Sequence, residues 1–284
     1  MATDTKALYL ELMKKTLSDY LNIDNPYANG VPPQFWWKKT GLKNLRNKWL
    51  VKFLRRSKII VLREDGLSTE DRKKKREKGL DWPLMQAQTM IGIRRLNNIH
   101  ELLEDVIERN IEGDVIETGV WRGGASIFMR AVLKAHVVTN KKVWVCDSFE
   151  GLPLPEPDKY PLDKDDAHHT FNFLAVSKES VAANFEKYGL LDDQVCFVKG
   201  YFEETLAHIP AEKFCLLRLD GDMYSSTIVA LEELYPKLSS GGYVIIDDFN
   251  LEPCLEAVND YRKLNNIITP IIDVDGSGAY WRKD

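Results

Sequence analysis

The sequence predicts an α/β fold: a mostly parallel seven-stranded sheet that ends in an antiparallel hairpin, preceded by a helical N-terminal region. Three observations support this. From about residue 112 onward, short β-rich runs alternate with helical patterns, an order that requires crossover connections and so a parallel sheet. Runs such as Val244-Ile245-Ile246 are apolar throughout, as strands covered on both faces are. Two of the runs close in acids, Leu219-Asp220-Gly221-Asp222 and Ile245-Ile246-Asp247-Asp248, which brings carboxylates to neighbouring strand ends.

Taken in order, Leu8, Leu12, Met13, Leu17, Tyr20 and Leu21 recur at helical spacing and describe an amphipathic helix. Asn25-Pro26 and Pro32-Pro33 punctuate a loop, and Phe35–Leu62 is basic, amphipathic and rich in Trp, Leu, Lys and Arg. Its basic face is read as solvated and its apolar side as packed on the core or a partner subunit, in preference to an anionic membrane or an acidic carrier protein. The charge run Asp71–Lys78 is read as an exposed linker or helix face. Residues 1–80 are therefore expected to form a helical lid or oligomerisation region, and residues 81–284 the core.

Within that core the strands are placed at Asp114–Thr118, Lys142–Asp147, Gln194–Lys199, Phe214–Asp220 and Gly242–Asp247. Helices at Ala125–Ala135, Lys178–Tyr188 and Ser226–Leu238 lie between them. After a helix at Glu252–Tyr261, the runs Pro270–Val274 and Ala279–Arg282 flank Asp275-Gly276-Ser277-Gly278, a loop short enough for a hairpin.

With 284 residues and 44% apolar content the chain can bury a full core. A net charge of -4 argues against a general nucleic-acid binder, which needs an excess of Lys and Arg on its binding face. No apolar run approaches membrane-spanning length and the N-terminus lacks a secretory pattern, so a cytoplasmic protein without membrane contact is expected. Cys146, Cys196, Cys215 and Cys254 sit singly, with no CxxC and no His at zinc-ligand spacing, and are expected as buried, reduced thiols.

The acidic strand ends carry the first functional inference. Uncompensated anions packed together in a partly dry cleft repel one another and are driven towards protonation. A hard divalent cation on oxygen ligands, Mg²⁺ held by Asp220, Asp247 and Asp248, resolves this. The competing reading gives these residues helix-capping or turn roles.

Asp114 to Ser126 read as strand, glycine-bearing turn and helix, with Gly119, Gly123 and Gly124 in the turn. Glycines admit a ligand close to the backbone, and the helix N-terminus behind them offers N–H groups. The spacing is G-x-x-x-G-G, not the G-x-G-x-x-G of a dinucleotide fingerprint, and Glu117 at the strand end would repel a pyrophosphate. That carboxylate suits an amino-acid ammonium instead, while Asp147, 23 residues beyond Gly124, suits ribose hydroxyls. S-adenosylmethionine satisfies both acids.

The segments DWPLMQAQTMIGIRRLNN, GDVIETGVWRGGASIF, VWVCDSFEGLP, LLRLDGDMYSST, LSSGGYVIIDDFN and GAYWRK resemble the macrocin O-methyltransferase family (TylF/MycF-type), which methylates sugar hydroxyls of natural products such as macrolide antibiotics. The resemblance implies a Rossmann-like class I methyltransferase, often oligomeric and dependent on S-adenosylmethionine and Mg²⁺, in which N-terminal helices help cover the site. Carried across, it makes Asp220, Asp247 and Asp248 metal ligands and places the family's proposed general base at Asp220. It makes Glu117 and Asp147 cofactor contacts, with Ser148 beside the latter. Thr89, Met90 and Phe202 fall in family motifs near the cofactor. The chain departs from the pattern around Pro32–Leu62, which reads as an insertion, and in the loop Pro155–Phe173 that approaches the acceptor.

A second candidate base is His169 in DDAHHTFN, with His168 adjacent, because metal ligation lowers the basicity of Asp220. The expected acceptor is a small molecule with vicinal oxygens, a glycosylated natural product. The alternative is a Mg²⁺-dependent catechol or phenol O-methyltransferase, with Trp36, Trp37, Trp82 and Phe173 lining an aromatic pocket. An NAD-linked dehydrogenase is disfavoured by the glycine spacing and Glu117, and a non-catalytic binding module by the intact aspartates.

Overall fold

The computed structural model describes residues 4–25, 66–80 and 86–284. The loop at Pro26, the basic stretch Phe35–Leu62 and Trp36, Trp37 and Trp82 lie outside the described residues.

One seven-stranded sheet forms the centre, in the order β3-β2-β1-β4-β5-β7-β6. Its strands are β1 (Asp114–Thr118), β2 (Val143–Asp147), β3 (Val195–Lys199), β4 (Phe214–Leu219), β5 (Leu238–Ile246), β6 (Ile272–Asp273) and β7 (Ala279–Arg282). The first five pair in parallel, and β7 runs antiparallel to both β5 and β6, as the sequence predicts. The strand order reverses between β1 and β4, and a crevice opens outside the strand ends at such a switch point.

Helices cover both faces: α1 (Thr5–Leu17), α2 (Thr69–Lys78), α3 (Ile93–Glu108), α4 (Gly124–Ala135), α5 (Lys178–Lys187), α6 (Tyr224–Leu234) and α7 (Glu252–Leu264), with a one-turn helix at Phe202–Thr205. Successive strand residues point to opposite faces, so Val115 joins a core with Leu17, Leu103 and Phe128 while Ile116 joins one with Leu231, Val258 and Trp281. Leu10 and Leu17 of α1 are fully buried in the first of these cores.

Several boundaries differ from expectation for identifiable reasons. The helix expected to run to Leu238 ends at Leu234, because Pro236 has no N–H to continue it and Leu238 already belongs to β5. That strand starts before Gly242 because Ser239 to Gly242 bulge out of the ladder: Phe214 pairs with Leu238 but Leu216 with Tyr243, and Gly241 has φ +83°. Helix α3, which the strand-and-turn pattern does not announce, buries Leu96, Ile99, Leu103 and Val106. The charge run at Asp71–Lys78 lies in α2, and its Arg72 and Arg76 are buried, so it is no simple exposed segment. Only Ile272 and Asp273 of the expected Pro270–Val274 strand pair with β7. All four cysteines are free thiols, three buried and Cys196 half-buried. Among the described residues no helix is long and apolar enough to cross a membrane.

Candidate active site

At the C-terminal ends of the parallel strands two adjoining clefts share Met90, Trp121, Leu174, Asp220 and Asp222. Gly119, Asp147, Ser148 and Phe202 line one; Thr89, Glu117, Arg218, Asp247, Asp248 and His168 line the other. Of the described residues nominated from sequence, Gly123, Gly124, His169 and Phe173 line neither cleft.

The three aspartates meet as their strand positions require. Backbone bonds from Asp220 N to Thr118 O and from Asp247 N to Leu219 O, both 2.9 Å, continue the ladders past the strand ends. One carboxylate oxygen from each of Asp220, Asp247 and Asp248 then lies within 4.8 Å of the others.

These acids are not uncompensated, which corrects the premise taken from sequence. Arg218, in β4 and fully buried, donates to Glu117 Oε1 at 2.5 Å, Asp220 Oδ2 at 2.8 Å and Asp247 Oδ1 at 2.5 Å. Arg95 of α3 donates to Asp247 Oδ2 at 2.6 Å and to Asp275 Oδ2 at 3.0 Å. Two guanidiniums thus face five carboxylates, Glu117, Asp220, Asp247, Asp248 and Asp275, with Asp222 beside Asp220 and Asp247. Burial would raise Asp247, but the two arginines outweigh it and hold its carboxyl below the ordinary range.

The remaining acids go the other way. Burial, then the charge of Asp220, pushes Asp222 up to about 7. Burial and the neighbouring Asp222, Asp220 and Asp247 charges drive Asp248 well above the carboxylate range, and its carboxyl hydrogen-bonds to Asp220. A cluster of hard oxygen donors that takes up protons for want of positive charge fits a divalent cation such as Mg²⁺.

On the donor side, Glu117 accepts from Ser126 Oγ as well as from Arg218, and burial pushes it up to about 7 against both. Asp147 accepts from Val120 N at 2.8 Å and Phe149 N at 2.7 Å, which pins the turn after β1 to the end of β2. Ser148 Oγ also approaches Asp147 Oδ1 at 3.5 Å, and the Trp121 N–H bears on the same carboxylate.

The turn glycines serve the packing of the protein more than the approach of a ligand. A Cβ on Gly119, at φ +81°, would stand 1.7 Å from the Asp220 carbonyl oxygen, and one on Gly123, at φ +83°, 2.7 Å from Val181 Cγ1. The N–H of Gly124 at the start of α4 is likewise engaged, by Gln88 O at 2.9 Å. Gln88 and Thr89 in turn donate their own N–H groups to Leu17 O, so α1 anchors the segment that brings Thr89 and Met90 to the clefts.

The acceptor-side loop is tied at two points. Asp163, fully buried, accepts from Tyr224 N at 2.7 Å and Ser225 N at 2.9 Å and so caps α6; Phe173 O accepts from Trp121 Nε1 at 2.9 Å. Between these ties His168 reaches the acidic cleft, with Asp166 Oδ2 2.5 Å from its Nδ1. His169 points elsewhere, its Nδ1 buried without a partner. Phe173 lines neither cleft and stacks on Phe171, 5.7 Å between ring centroids.

Arg218, Arg95 and Asp222 were missed from sequence. Arg218 left a signal: an arginine inside the apolar run FCLLRL must find an anion once buried. Asp222 left a weaker one in the DGD turn, where it takes φ +58°, a conformation uncommon outside glycine.

Comparison with known proteins agrees with this geometry. The macrocin-O-methyltransferase (TylF) family matches residues 6–283. An 8-demethyl-8-(2,3-dimethoxy-alpha-L-rhamnosyl)-tetracenomycin-C 4'-O-methyltransferase of Streptomyces olivaceus is 44% identical over 283 residues, 99% of this chain and 95% of its own. A mycinamicin III 3''-O-methyltransferase of Micromonospora griseorubida is 45% identical over 279 residues, 97% of this chain and 96% of its own. Among solved structures, the O-methyltransferase NovP matches with a TM-score of 0.79 at 40% identity, over 98% of this chain and 99% of its own. The expected Rossmann-like class I methyltransferase architecture is therefore present.

Proposed function

The chain belongs to the macrocin O-methyltransferase family and is an O-methyltransferase, and from that premise we propose that it methylates a sugar hydroxyl of a glycosylated natural product, using S-adenosylmethionine and Mg²⁺. One observation carries the reading: three carboxylate oxygens converge to within 4.8 Å beside a cleft that Asp147, Ser148 and Phe202 also line. The names of the relatives support a sugar acceptor, since the Streptomyces olivaceus enzyme is named for a rhamnosyl-bearing compound.

In this reading Asp147 accepts from the ribose hydroxyls of the donor and Glu117 from its ammonium group, while Met90, Thr89 and Phe202 flank it. Asp220, Asp247 and Asp248 hold the metal, and Arg95 and Arg218 fix Asp247 from both sides. The bound ion would supply the positive charge that lets an acceptor hydroxyl lose its proton near neutral pH. Burial and the Asp247 charge raise Asp220 against its bond from Arg218, but a bound dication would engage its oxygens and make it a weak base in that role. His168 is the better proton acceptor: Asp166 occupies its Nδ1, leaving Nε2 free to take the proton.

The test has two arms. S-adenosylhomocysteine should raise Tm while NAD does not. Labelled methyl transfer to a panel of rhamnosylated and other glycosides should be lost in EDTA and restored by Mg²⁺. Full activity in EDTA would remove Mg²⁺ from the proposal, and a Tm response to NAD alone would overturn the donor. The lid or oligomerisation role of residues 1–80 belongs to the same proposal, and sedimentation of the full chain over a range of concentrations tests its oligomeric half.

A further inference from the structure

A second group of metal-ligand side chains lies away from the clefts. His100 and Glu104, one turn apart on α3, meet His136, the residue that closes α4. Glu104 Oε1 is 3.4 Å from His100 Nε2 and 3.1 Å from His136 Nε2, and all three ligand atoms lie within 4.8 Å of one another. We propose that these three side chains form a zinc site, with water as the fourth ligand.

The geometry suits the ion. Zinc bonds of about 2.0–2.1 Å in a tetrahedron put neighbouring ligand atoms about 3.3–3.4 Å apart, close to the two edges already present. Two imidazoles and one carboxylate form a borderline donor set, matched to Zn²⁺ and poorly to the hard Mg²⁺ of the aspartate cluster. The bland alternative, a carboxylate bridging two histidines by hydrogen bonds, accounts for only one of them. Glu104 and His136 are hydrogen-bonded, but His100 Nε2 is closed off from solvent and has no hydrogen-bond partner. An ion held by Glu104 and His136 gives that nitrogen a partner.

Lys14 is the opposing charge near His100, and Glu11 pairs with it at 2.6 Å. Glu104 is about one-third exposed, which leaves an approach for the ion and its water. Because α4 starts at the clefts and returns antiparallel to the strands, His136 lies at the opposite edge of the sheet. The ion would therefore clamp α3 to α4 and take no part in methyl transfer.

Full-length protein stripped with EDTA, dialysed and held in millimolar Mg²⁺ would be titrated with ZnCl₂, with bound zinc measured after equilibrium dialysis. One zinc per chain is expected, with Tm rising by roughly 5 °C at a hundredfold excess over Kd. Cobalt in its place should give the intense visible bands of a tetrahedral site. His100→Gln and His136→Gln should each weaken zinc binding at least tenfold while the Tm response to S-adenosylhomocysteine and methyl transfer stay unchanged, which also shows that both variants fold. Asp248→Asn should keep its zinc. Undiminished zinc in both histidine variants, loss of zinc in Asp248→Asn, or no binding below about 10 µM would each overturn the proposal.

Discussion

Two adjacent imidazoles meet different surroundings. His168 lies on the wall of the acidic cleft with Asp166 behind it, while His169, in the same helical turn at His168–Thr170, lines neither cleft. A positioned base contributes about 10²–10⁴-fold. His168→Ala should therefore lower kcat by about a hundredfold or more with little change in donor KM. His169→Ala should stay within about twofold of wild type in the same assay. Equal losses in the two variants would return proton transfer to Asp220. At this scale the acids were legible because they close apolar runs, but the choice between the histidines was not, since it depends on how Asp163 and Phe173 tether the loop. The Arg218 partnership was half legible. The arginine is conspicuous in its strand, but its pairing with Glu117 rests on a β1–β4 register that sets the two Cα positions side by side.

The N-terminal helix is an element whose effect on the site can be followed bond by bond. Leu17 is fully buried, and its carbonyl accepts from Gln88 N at 2.8 Å and Thr89 N at 3.3 Å. Leu17→Ala should cost about 2–5 kcal/mol of stability by chemical denaturation. It should also weaken S-adenosylhomocysteine binding severalfold, because Thr89 and Met90 lose their anchor; an unchanged affinity would uncouple α1 from the site. Asp163→Ala should cost about 1–2 kcal/mol as a lost cap of α6 and raise the acceptor KM more than the donor KM, since it frees the loop that carries His168. Parallel strands were legible because burial on both faces leaves unbroken apolar runs, and β1 and β7 begin and end where the pattern places them. The start of β5 was not, because Ser239-Ser240-Gly241 looks like a loop and is in fact a bulge. Nor was α3, whose apolar positions are interrupted by the buried polar residues Arg95 and Asn98, and with it went Arg95, His100 and Glu104.

Across the whole molecule, the C-terminal edge of the sheet carries more negative charge than its own cations balance, and this links stability to pH and to metal. Arg218 braces β1, β4 and β5 through Glu117, Asp220 and Asp247, and Arg95 ties α3 to the same edge. Glu117 and Asp222 remain held up at about 7, above ordinary values of 4.5 and 3.8. Between those ordinary values and about 7 the folded chain binds more protons than the unfolded one, so these two groups make stability fall as pH rises through that window. Asp247, held below 3.8, acts only at more acid pH. His100, held below 6.5 by burial and Lys14, works in the opposite sense within the window, but equally with and without Mg²⁺. The informative quantity is therefore the difference in Tm between Mg²⁺ and EDTA. A dication among Asp220, Asp247 and Asp248 favours the ionised carboxylates, so its stabilising effect should be small at pH 5 and grow steadily to pH 7.5. In Asp248→Asn that growth should largely disappear. A difference that stays flat or shrinks with rising pH in the wild-type chain would mean that the excess negative charge at the strand ends is not what Mg²⁺ relieves.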